Sequence, residues 1–154
     1  MDSTGITSCP LRAQVDPRAL RFSAAATAGV LIIVLLTVGL ARSLALGLLA
    51  SQVAVFGFTA FVSVHWSVWA QIFARVIWPR VSPATELEEA RPARFAQLIG
   101  FVLTAAALLG FVAGVDVVGY GLTAVAAAGA VINATTGVCV GCKVFLLVRR
   151  LQPH

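Results

Sequence analysis

The chain has 154 residues, of which 60% are hydrophobic and only 11% charged. Soluble domains run at about 45–50% apolar and about 25% charged, so this composition excludes an ordinary soluble globule and points to a small integral membrane protein of one domain, residues 1–154. The formal net charge of +5 does not argue for nucleic acid as a partner, because the basic residues flank apolar runs, where topology and lipid phosphates account for them.

Residues 1–15 read as a flexible polar tail holding Cys9 in Ser8-Cys9-Pro10. Asp16-Pro17 then pairs an N-cap with a first-turn proline, the usual opening of a helix. The first apolar run is long enough to span and shows no convincing small-residue cleavage site, so it is expected to stay as a membrane helix. Four spans are predicted, at about 22–41, 44–64, 95–115 and 117–138, and the fourth can continue as helix to Val148. Each reaches the roughly 20 residues needed to cross a bilayer core of about 30 Å. Without water to satisfy the backbone, such runs must be helices or a closed barrel, and their continuous apolarity excludes the alternating barrel pattern. The expected fold is all-α, a polytopic membrane four-helix bundle with an interfacial helix in the long loop between spans two and three.

Arg42-Ser43 joins spans one and two, and Gly114-Val115-Asp116 joins spans three and four, so both connections are tight. The loop 65–94 is different. Between His65 and Trp78, residues Trp66, Trp69, Ile72, Phe73, Val76 and Ile77 recur at helix-like spacing, and the segment with its three Trp reads either as a partner-docking helix or as a helix lying among lipid headgroups, where Trp is favoured. Pro79 and Pro83 end it. Thr85-Glu86-Leu87-Glu88 has the form of a capping box for one acidic helical turn, and Pro92 restarts the chain into span three. Ten of the eleven basic residues fall in the N-terminal tail, this loop and the C-terminal tail. By the positive-inside rule both termini and the long loop are expected on the cytoplasmic side of the plasma membrane, with Arg42 alone opposite.

The one reactive constellation is Cys139-Val140-Gly141-Cys142. If the fourth helix runs on through Cys142, the two thiols share a face, opposite a ridge of four-steps made by Gly129, Asn133, Gly137 and Gly141. Small residues at that spacing admit a neighbouring helix, and an Asn among them can hydrogen-bond across. Residues three apart in a helix lie within disulfide range, and a Cys-x-x-C pair lowers thiol pKa in redox proteins. On this reading the pair sits at a helix C-terminus, where the dipole disfavours a thiolate, with Lys143 offsetting it. Cys142 is the expected attacker, being further toward water, and Cys139 the resolving thiol. The alternative is that both cysteines pack as small hydrophobes. Cys9 reads as a resolving thiol, a third ligand or an ordinary tail residue. His65 reads as a proton carrier, a ligand or an interface residue. Asp116 reads as a turn residue, and Gln52, Thr135 and Thr136 as interhelical glue. No metal site is predicted, since a complete four-ligand set is missing, although soft thiolates suit Cu(I), Zn or an iron–sulfur cluster. No cofactor is predicted either.

Three stretches carry a resemblance: Val15-Asp16-Pro17-Arg18 with Arg21, Arg91-Pro92-Ala93-Arg94-Phe95-Ala96-Gln97, and Asn133-Ala134-x-x-Gly137-x-Cys139-x-Gly141-Cys142. Together they resemble the bacterial membrane family catalogued as domain of unknown function 4395, over essentially the whole chain. The size and helix count are loosely similar to DoxX-type membrane proteins. The family resemblance implies association with thioredoxin-like and sulfurtransferase (rhodanese-like) proteins, hence thiol redox or sulfane-sulfur handling. Quinone-coupled four-helix thiol oxidoreductases also carry a Cys-x-x-C, together with an extra loop cysteine pair that this chain lacks. The expected function is a membrane thiol-redox or sulfur relay through Cys139 and Cys142 with such a partner. The alternatives are a non-catalytic subunit of a homo-oligomer or larger membrane complex, and a metal or cofactor site built on the cysteines.

Overall fold

The computed structural model describes residues 14–62, 67–81 and 88–151. Four helices are long and apolar enough to cross a membrane: α1 (Pro17–Thr37), α2 (Arg42–Phe61), α4 (Ala90–Val112) and α5 (Asp116–Thr136). At 1.5 Å per residue each is about 30 Å long, the thickness of a bilayer core. α1 begins as expected. Asp16 Oδ1 accepts from the Arg18 N–H at 2.8 Å, with Pro17 in the first turn.

The helices form a closed square, α1 against α2, α2 against α4, α4 against α5 and α5 back against α1, with neighbours antiparallel. Their outward surface is greasy: Leu36, Leu109 and Val117 are 69%, 68% and 84% exposed. Such a surface suits lipid and not water. The two ends of the square differ. Leu31, Val34, Val38, Ala45, Leu49, Ala107 and Phe111 pack one end into a buried core. There the Arg42 guanidinium holds the turns together. It pairs with both Asp116 carboxylate oxygens, at 2.8 and 3.2 Å, and donates to the Phe111 carbonyl at 2.6 Å, closing the end of α4. Asp116 is therefore an ion-pair partner and not merely a turn residue.

The opposite end gathers the start of α1, the end of α2, the start of α4 and the end of α5. A two-residue antiparallel bridge, β1 (Gln14–Val15) to β2 (Glu88–Glu89), ties the segment before α1 to the segment before α4. Val15 is buried against Leu20, so Gln14 and Val15 belong to the fold and not to a flexible tail. Glu88 lies in this bridge and not in a helical turn, and the rest of that capping-box motif falls outside the described residues. Arg94 donates from Nε and Nη2 to the Ala60 carbonyl, 3.3 and 3.1 Å, and so closes α2.

The long loop does contain a helix, α3 (Val68–Ile72), which widens into a π-turn over Phe73–Ile77 and tightens to a 3-10 turn over Trp78–Arg80. Phe73 is buried and packs on Phe22 of α1, ring centroids 5.9 Å apart. Val68, Ile72, Val76 and Trp78 remain exposed. An apolar face on a short helix pinned to the rim of the bundle has the form of a headgroup-level element.

Between the two ends, Gln52 does join helices. Its Nε2 donates to Thr27 Oγ1 at 3.0 Å, with both residues buried. Thr135 and Thr136 do not: their hydroxyls return to carbonyls of their own helix, Val131 and Ile132. Replacing Gln52 by Leu strands the Thr27 hydroxyl and is expected to cost about 1 kcal/mol in denaturant titration of the detergent-solubilised protein. Adding Thr27→Val to that variant recovers most of the loss, because no polar group is then left unpaired.

Candidate functional site

The chemistry sits where α5 fails to continue. Gly137 adopts φ +70°, the left-handed conformation that ends helices, and its N–H bonds to the Asn133 carbonyl at 3.0 Å. A residue with a Cβ is disfavoured there by about 1–2 kcal/mol. The Val138 N–H is taken by Thr136 Oγ1 at 3.1 Å. Arg21, reaching from α1, donates from Nη2 to the Thr135 carbonyl at 3.1 Å and covers the Gly137 turn. The fourth span thus ends within two residues of its expected bound, and the continuation to Val148 that the sequence allows is a separate helix, α6 (Val140–Leu151).

This break changes the surroundings of both sulfurs. Cys139 is the residue immediately before α6, and its carbonyl accepts the first helical bond, from the Lys143 N–H at 3.1 Å. Its Sγ accepts from the Cys142 N–H at 3.2 Å, the place a Ser or Asp oxygen takes in an ordinary N-cap. The sulfurs stand at disulfide distance, with Cα atoms 5.1 Å apart. The pair therefore lies at a helix N-terminus. The expectation of a C-terminal dipole working against a thiolate is reversed, since unpaired N–H groups and the dipole here favour negative charge.

The small-residue ridge does not survive as one stripe. Gly129 has nothing within 4 Å of where a Cβ would stand, Gly137 ends the helix, and Gly141 belongs to α6. Gly141 alone makes the close approach. A Cβ on it would lie 2.6 Å from Ala96 Cβ and 2.7 Å from Ala96 Cα, on α4. Phe95 and Phe145, with centroids 5.4 Å apart, extend this α4–α6 seam.

Asn133 does not bridge helices. It lines a cavity of about 260 Å³ between α1, α4, α5 and α6, floored by Phe56 of α2. Cys139, Arg21 and Gln97 line the same space. The amide side chains of Gln97 and Asn133 make no hydrogen bond among the described residues. The cavity wall is otherwise largely apolar, with Leu20, Leu103, Val125 and Val144 contributing. Ala93 and Ala130 line this space at the disulfide end of the bundle and Gly100 admits the Phe56 ring beside it, whereas larger residues fill the other end.

Of the other residues singled out by sequence, Cys9, His65 and Trp66 lie outside the described residues. Trp69 has a buried indole N–H without a partner among the described residues, and Trp78 is 60% exposed. Among the described residues no group of three His, Cys, Asp or Glu side chains comes together to hold a metal ion. Arg21 and Gln97 were not singled out as site residues. Arg21 read as a topology charge, and nothing in the sequence marks a contact with a carbonyl 114 positions away.

The family described as Domain of unknown function (DUF4395) matches residues 15–150. The chain belongs to this family. The match starts at Val15 in the β1 bridge and ends at Arg150 in α6, so in this DUF4395 member it takes in both ends of the bundle, the helix break and both cysteines. No curated protein and no solved structure matches the chain.

Proposed function

We propose that this DUF4395 protein is an integral membrane thiol-redox or sulfur-relay protein, with Cys139 and Cys142 as its working pair and a thioredoxin-like or sulfurtransferase protein as its partner. The observation that carries the reading is the seating of Cys139 at the N-terminus of α6 with the Cys142 N–H on its sulfur. A structural cysteine needs no such seat; a nucleophilic one gains from it. Both cysteines are half-buried, which limits access to a partner that docks at this end of the bundle. The charge distribution favours a cytoplasmic location for that end, with Lys143, Arg149 and Arg150 on α6 beside it.

The exchange runs in two balanced steps. A partner dithiol attacks the Cys139–Cys142 disulfide at Cys139, forming a mixed disulfide and releasing Cys142 as thiolate. The partner's second thiol then attacks its own mixed disulfide, leaving the partner oxidised and both cysteines reduced. In the reverse direction Cys139 thiolate opens a partner disulfide and Cys142 resolves it. The geometry thus favours Cys139 as attacker, in place of the Cys142 expected from sequence.

Differential alkylation of native membranes, read by mass spectrometry before and after reductant, tests the proposal. A reductant-sensitive disulfide or persulfide on Cys139 and Cys142 supports it. Two free thiols indifferent to reductant and oxidant sink it and leave the subunit reading.

A further inference from the structure

We propose that the cavity beside Cys139 binds a lipid-soluble quinone, which takes the electrons of the Cys139–Cys142 dithiol. The inference rests on the thiol-redox reading above and names its electron acceptor.

Three observations point to such a ligand. First, the space has room for a substituted ring: at about 260 Å³ it exceeds the roughly 150 Å³ cavity that takes up benzene in an apolar protein interior. Second, its polarity is graded along the helices. Arg21, Gln97 and Asn133 stand within about a turn of the α5–α6 break, by their contacts and sequence positions, while further in Leu103 and Val125 accompany one polar residue, Thr27, whose hydroxyl already accepts from Gln52. Third, the Gln97 and Asn133 amides are unspent. Both side chains are partly exposed and line the cavity, so their N–H groups are available to a ligand that enters it. Amide N–H groups donate to carbonyl oxygens, so the site asks for a flat, apolar ring bearing carbonyl acceptors at the end near the sulfur. Among oxidants that dissolve in a bilayer, a quinone meets all three demands. A second cysteine pair is not needed as a relay, because the thiol pair lies at the bundle end and a soluble partner can reach it directly.

The step balances. Cys139 thiolate adds to an electrophilic ring carbon of the quinone, forming a C–S bond. Cys142 thiolate attacks Cys139 sulfur, forming the S–S bond and breaking the C–S bond, and the electron pair departs on the ring. Two S–H bonds are lost, one disulfide forms, and the two protons end on the oxygens of the quinol.

The test uses the full chain in lipid nanodiscs under anaerobic conditions, with a short-tailed 1,4-naphthoquinone as probe. Binding is measured by calorimetry on the Cys139→Ser/Cys142→Ser protein, where no thiol chemistry intervenes. Oxidation is measured on the reduced native pair as quinol appearance. Gly129 lines the cavity and has open space at its Cβ, so Gly129→Leu fills the site from an unstrained position; binding and quinone-driven oxidation are then lost. Asn133→Leu serves as a second variant and weakens binding about fivefold, the worth of one hydrogen bond. Gly121→Leu, equally unobstructed but away from the cavity, behaves as the native protein. Absence of saturable binding, or native behaviour of both cavity variants, overturns the inference. Thiols that the water-soluble oxidant diamide closes to a disulfide but naphthoquinone does not also overturn it, while leaving the thiol-redox reading standing. Thiols inert to both reagents overturn that reading itself.

Discussion

A Cys142→Ser protein accumulates a mixed disulfide with its partner through Cys139, whereas a Cys139→Ser protein accumulates none. This asymmetry is the largest effect expected from the site. Without Cys142 the first attack still proceeds, but no resolving thiol remains to release the partner, so the intermediate persists. Without Cys139, the remaining sulfur is inside the first turn of α6 and loses the cap position at which the helix N-terminus favours negative charge. Acid-quenched membranes run on non-reducing gels, with the captured band sequenced by mass spectrometry, give the answer directly. In the Cys142→Ser protein, alkylation of Cys139 should also stay fast to lower pH than that of a free thiol. The opposite pattern, with the partner held on Cys142, would mean that exposure outweighs the helix terminus in choosing the attacker.

Gly141→Ala should dislodge α6, while Gly129→Ala should do no harm. At Gly141 the added methyl meets the Ala96 Cα and Cβ at 2.7 and 2.6 Å. Backbone on a membrane helix cannot yield as a flexible side chain does, so α6 must lift from α4 and loosen the Phe95–Phe145 contact. Overpacking of this kind costs about 1–3 kcal/mol. At Gly129 nothing stands within 4 Å, and exchanging a mid-helix glycine for alanine gains about 1 kcal/mol where no contact opposes it. Denaturant titration in detergent separates the two. The reaction of Cys142 with a maleimide separates them again, rising only in Gly141→Ala. Equal behaviour of the two variants would show that the α4–α6 seam does not hold the cysteine pair in place.

The architecture was legible because membrane helices announce themselves by length. A run of some twenty apolar residues leaves few alternatives once water is excluded from the backbone. Helix ends were less legible. The structure starts α1 at Pro17, where the Asp16 cap signalled it, but ends α5 at Thr136, after Asn133, Thr135 and Thr136, polar residues that a packed membrane helix also accommodates. A single glycine inside such a run reads equally well as a packing notch and as a stop. The cap that follows is a cysteine, which propensity does not mark. That one ambiguity carried the cysteine pair from the end of one helix to the start of another and reversed the expected electrostatics. The cavity was illegible for a related reason: Ala93, Gly100 and Ala130 all have the composition of a close helix contact, and only the three-dimensional arrangement reveals that Gly100 makes one, with Phe56, while Ala93 and Ala130 line a cavity.

The arginines at the cysteine end have a charge as well as a position. As bare cations, Arg21 and Arg94 resist crossing a bilayer. Once the bundle has closed, the same two side chains are spent as fitted donors, on the Thr135 and Ala60 carbonyls. Lysine would satisfy the first task but lacks the planar fork with which Arg94 grips one oxygen from two nitrogens. The charges that keep a helix flank out of a bilayer and the donors that seal these helix ends are therefore one shared set of residues.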